Sequence, residues 1–86
     1  MELEMVLLQL EQAERQVIAA KEHVAKQREI IEKLRRSGRN TKDAERLLIV
    51  LNGALRAQTG NHSYWHGLLR RTSAERIMGS AYHRAQ

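Results

Sequence analysis

From Leu3 to Leu34 the chain repeats a step of three and then four residues without a break. The positions are Leu3, Val6, Leu10, Ala13, Val17, Ala20, Val24, Gln27, Ile31 and Leu34, and only Gln27 is polar. A seam of this kind, held over more than four heptads, belongs to a helix packed lengthwise along another helix. It excludes strands, because side chains in a strand alternate with a period of two. The glutamates lie in the first half of the segment and cations fill its last turns, so both ends suit the helix dipole. A helix over residues 2–36 follows.

The helix has a stop signal at Ser37-Gly38-Arg39-Asn40-Thr41. Gly38 suits the left-handed residue that closes a helix, and Asn40 or Thr41 can cap the next one. Asp43 and Glu45 then sit near the positive end of a second helix. Ala44, Leu47, Leu48, Leu51, Ala54 and Leu55 give it an apolar stripe, and Gly60-Asn61 predicts its end near Ala57 to Thr59. A turn this short sets the helices antiparallel. The expected fold is therefore all-α: a long antiparallel, coiled-coil-like helical hairpin over residues 1–59, with helices at 2–36 and 42–58 and a turn at 37–41. Residues 60–86 form a C-terminal extension, with a weak helix over about 63–78 and a frayed end at Gly79 to Gln86.

These lengths leave a gap. At 1.5 Å per residue the first helix reaches ~50 Å and the second ~25 Å, so the second covers only the half near Val24, Ile31 and Leu34. The half from Leu3 to Val17, widened by Met5, Leu7 and Leu8, needs another cover. Two occupants fit. The tail can return as a third helix, since Trp65, Leu68, Leu69 and Thr72 share a face and Thr72 to Glu75 reads as a capping box ahead of Ile77 and Met78. Alternatively, a second copy can lie there. An antiparallel copy is favoured, because it sets the acidic half of one long helix on the basic half of the other.

Composition narrows the classes. With 86 residues, no cysteine and no proline, the chain is at most one small domain that lacks disulfide staples and thiolate metal sites. Its net charge of +5 is uneven: residues 1–20 sum to −3 and residues 21–42 to +5. No secretory signal opens the chain, and Met5-Val6-Leu7-Leu8 is far short of the ~20 apolar residues that span a bilayer. A cytoplasmic chain that is not an integral membrane protein is expected.

Between Gln27 and Arg56, QREIIEKLRRSGRNTKDAERLLIVLNGALR resembles a group of short uncharacterised bacterial helical-hairpin proteins. The shared positions are Leu34, Gly38, Thr41, Ala44, Leu47, Leu48, Leu55 and Arg56, about a third of the chain counted as a segment. They are turn and seam residues, so the resemblance implies a fold and brings no activity or cofactor with it. From Gln58 onward the chain departs from that pattern. Its last 26 residues hold all three aromatics and three of the four histidines.

Candidate chemistry is sparse. His62 and His66 stand i, i+4 and could share a zinc or nickel ion, with His83 or Glu75 as a third ligand, but no carboxylate lies between them. Surface histidines are the better reading. Ser63 and Ser73 lack a nucleophile elbow, an oxyanion loop and an orienting acid, and helix capping accounts for both. Tyr64, Trp65, Leu68 and Leu69 before Arg70 and Arg71 could lie on a membrane surface, but suit the inner side of a helix better. Lys33, Arg35, Arg36, Arg39 and Lys42 gather at the hairpin tip, where they could attract nucleic-acid phosphates or an acidic protein. Cations at a helix C-terminus are also explained by the dipole.

The expected function is a non-enzymatic, cofactor-free interaction or assembly module, self-associating as a homodimer or docking a helix-bearing partner. Leu3, Val6, Leu10, Val17, Val24, Ile31 and Leu34 would form its seam, with Leu47, Leu51 and Leu55 opposite. The alternative is a small basic protein that binds nucleic acid through the tip without reading its sequence.

Overall fold

The structure, a computed structural model, describes residues 2–85, with side chains described over residues 2–77. It is an all-α antiparallel hairpin of two helices, α1 (Leu3–Arg36) and α2 (Lys42–Ala85), in a rod of 75 × 15 × 14 Å. α1 contains neither glycine nor proline, so nothing interrupts its ladder.

The turn forms as its residues predict. Among the described residues Gly38 alone has a positive φ, at 69°. Arg39 N donates to Leu34 O at 2.9 Å and Gly38 N to Arg35 O at 3.1 Å, the paired reverse bonds of a glycine-closed helix end. Asn40 and Thr41 share the capping of α2. Asn40 Oδ1 accepts from Lys42 N at 2.9 Å, while the Thr41 carbonyl accepts from Glu45 N at 2.8 Å.

α2 does not end near Thr59. It runs through Gly60-Asn61 as one helix to Ala85, so among the described residues there is no separate extension and no third helix. Thr72 and Glu75 lie inside this helix and do not start a new one. Backbone helicity also continues beyond Gly79, where fraying was expected; Gln86 and the side chains after Ile77 lie outside the described residues. The physical reason is tertiary. Helical Gly60 and Gly67 each cost roughly 1 kcal/mol relative to alanine, but the seam on α2 keeps its phase across both. Thr41, Ala44, Leu48, Leu51, Leu55, Gln58, His62, Trp65, Leu69 and Thr72 are all at least half-buried, again in steps of three and four. Packing along α1 offsets the weak local propensity.

Along the seam, the half of α1 expected to be bare is therefore covered, while Met5, Leu7 and Leu8, which widen it, stay exposed. Val6 is 0% exposed and Ala13 1%, with Leu10 also buried, and α2 of the same chain supplies the cover. Nearer the turn, Val24, Gln27 and Ile31 are buried. Gln27 Nε2 donates to the Ala44 carbonyl at 2.8 Å, so the one polar seam residue of α1 is satisfied across the hairpin. This single bond also ties the register of one helix to the other.

Candidate functional site

Most of the expected seam residues meet in one interface. Leu3, Val17 and Leu34 are half-buried between the fully buried members of α1, and Leu51 and Leu55 face them from α2. Leu47 does not join them. It is 47% exposed, and its neighbour Leu48 occupies the seam position. Two adjacent leucines leave the phase of a helix ambiguous by one residue, and the Ala44–Leu48–Leu51–Leu55 step settles it. The expected seam stopped at Leu55 and missed Gln58, His62, Trp65, Leu69 and Thr72, three of them polar enough to hide the repeat.

Because the seam is filled within the chain, any binding surface lies outside it. Among the described residues every buried one belongs to α1; the seam residues of α2 stay partly open. The outward faces differ in charge, although α1 also exposes Met5, Leu7, Leu8, Ile18 and Ile30. α1 carries thirteen charged residues among its 34. On α2, Arg56 is the only charged residue between Leu47 and Leu69. Leu47, Val50, Ala54, Ala57, Asn61, Tyr64 and Leu68 run in steps of three and four along one side of that stretch. Val50 is 65% exposed and Tyr64 54%. The result is a charge-free, partly apolar strip roughly 30 Å long on the outside of the rod.

The basic tip is partly neutralised. Arg35 lies 3.5 Å from Glu45 and 3.9 Å from Glu32, and Arg36 lies 4.0 Å from Glu32. These pairs are solvent-exposed and hold little energy, but they lower the field of the tip. Lys33, Arg39 and Lys42 make no ion pair among the described residues, which leaves three of the five tip cations facing solvent.

The histidines do not converge on a metal geometry. His62 and His66 stack with ring centroids 6.2 Å apart, and His62 Nε2 lies 3.5 Å from Glu14 Oε1 across the hairpin. Among the described residues no three histidine or carboxylate side chains come together as metal ligands, and the side chain of His83 lies outside those residues. Ser63 is exposed within α2, and its side chain makes no hydrogen bond among the described residues. Among the described residues, no helix is long and apolar enough to cross a membrane. No protein-family model, curated protein or solved structure matches the chain.

Proposed function

We propose that the chain is a non-enzymatic helical interaction module that self-associates or docks a partner helix through the outer face of α2. One observation carries this reading. The chain exposes 6914 Å², whereas a compact monomer of 9.9 kDa exposes about 5,200 Å² by the size scaling of monomeric proteins. A two-helix rod cannot hide its second face from water, and the charge-free strip on α2 is where burial costs least desolvation. The seam, which would otherwise receive a partner, is already occupied by the chain's own second helix.

The test is absolute molar mass by light scattering across a dilution series. The proposal expects a dimer, or a larger species, that dissociates to a folded monomer on dilution. A monomer at every concentration, with no helix-bearing partner recovered by cross-linking, would overturn it.

The unpaired Lys33, Arg39 and Lys42 support a second reading, in which the tip binds an anionic polymer. Binding of single- or double-stranded nucleic acid should then weaken steeply with salt, and replacing those three cations together should reduce the salt slope by about three phosphate contacts. A slope unchanged by the triple replacement would remove this reading.

A further inference from the structure

The strip on α2 is its own complement. With the seam residues taken as a and d, the positions Asp43, Val50, Ala57, Tyr64 and Arg71 are consecutive c positions, each seven residues from the next. An axis through Ala57 sets Asp43 opposite Arg71 and Val50 opposite Tyr64, while Ala57 meets itself. Charge faces opposite charge at both ends, apolar faces apolar within them, and the smallest residue sits at the centre. Of the flanking positions, one pair on each side follows the same symmetry, while Ala54 falls beside Asn61 and Arg46 beside Gly67. In an antiparallel pair related by a two-fold axis, each g side faces g and each f side faces f, so Leu47 falls beside Leu68 and Gly53 beside Gly60. The paired glycines leave room for the backbones, since nothing lies within 4 Å of where a Cβ would stand at either one.

From this self-complementarity we propose that two copies of the hairpin pair antiparallel through α2, on a two-fold axis at Ala57. The inference rests on the self-association proposed above and names its surface, partner and register. The charge pattern selects a second copy over an unrelated helix, because it closes only when the strip meets its own reverse. It also selects antiparallel over parallel pairing, which would set Asp43 on Asp43 and Arg71 on Arg71. Asp43 is free to exchange partners. Its present contact, 3.4 Å to Arg46, joins two groups that are 99% and 77% exposed, and such pairs contribute little. The contact from Asp43 to Arg71 spans about 42 Å of helix, and a footprint one helix diameter wide buries about 1,000 Å² over both copies. That is the lower bound for a specific interface, so the dimer should dissociate at micromolar concentrations.

Cysteine is absent from the chain, so a single introduced thiol reports on this geometry without interference. Helices whose axes are 8–10 Å apart bring facing Cα atoms to within about 4–6 Å, which is disulfide range. Ala57 is exposed and helical, so Ala57→Cys should fold normally and give a cross-linked dimer under mild oxidation. Ala25→Cys, exposed on α1, should not. In parallel, Asp43→Arg and Arg71→Asp should each raise the dissociation constant several-fold, and the double exchange should restore it. Cross-linking specific to Ala57→Cys together with that restoration supports the proposal. A wild-type dimer without either result overturns this interface and leaves self-association standing. A wild type that stays monomeric by light scattering overturns both.

Discussion

The half of the hairpin beside the turn and the half at its open end are held by different means. Beside the turn, local chemistry does much of the work: the left-handed Gly38, the Asn40 cap and the Gln27–Ala44 bond fix where α2 begins and in which register. At the open end no cross-helix hydrogen bond occurs among the described residues, and the one cross-helix ionic contact is His62 with Glu14. Order there comes from burial alone, with Val6, Leu10 and Ala13 of α1 under the half-buried Trp65, Leu69 and Thr72 of α2. The comparison shows that a helix containing Gly53, Gly60 and Gly67 can still be continuous when its inner face has something to bury against.

The largest expected effect follows directly. Leu10→Asp places a carboxylate at a site 8% exposed, losing the burial of leucine and desolvating a charge, at a cost of about 4 kcal/mol or more. The open half should unravel while the half beside the turn persists. Amide exchange should become fast at Val6 and Ala13 but stay slow at Val24 and Ile31. If protection is lost uniformly along the rod, the two halves are one cooperative unit and the comparison fails.

How far the fold was legible follows the same division. α1 and the turn could be read because each signal is local: an unbroken heptad, then a glycine followed by capping residues. The continuation of α2 could not, because Gly60-Asn61 mimics a helix stop and the in-phase residues there, Gln58 and His62, are polar. The signal that would have found it is the step from Leu55 to Trp65 and Leu69, ten and fourteen residues on, which keeps the seam's phase across the apparent break. The outward strip was hidden for a different reason. Leu47 and Tyr64 read as inner-face residues until the structure shows which side of α2 faces α1.

Replacing the glycine within α2 and the one in the turn should have opposite signs. Gly60 is helical and its Cβ position is open, so Gly60→Ala in dilute, monomeric protein should stabilise the fold by about 1 kcal/mol. Gly38→Ala forces an alanine to a φ of 69° and should destabilise it by about 1 kcal/mol. Denaturant midpoints for the two variants check both. A lower midpoint for Gly60→Ala would mean that the chain turns at Gly60, as its sequence suggests.

The smallest effect concerns Gln27, and its value lies in specificity more than in stability. The side chain is 6% exposed and gives its amide proton to a carbonyl in the first turn of α2. In Gln27→Met a thioether of similar length fills the same space. The cross-helix bond, worth about 1 kcal/mol net, is lost, while added apolar burial offsets a similar amount. The denaturant midpoint should therefore move little. What should change is register: with every seam position of α1 apolar, no buried cross-helix bond is left to penalise a shift of one heptad, as a single buried polar residue does in coiled coils. Spin labels at Glu22 and Asn52 should report one narrow distance distribution in the wild type and a broader one in Gln27→Met. An unchanged distribution would show that the Gly38 turn alone fixes the register, which would put the whole difference between the two halves in five residues of loop.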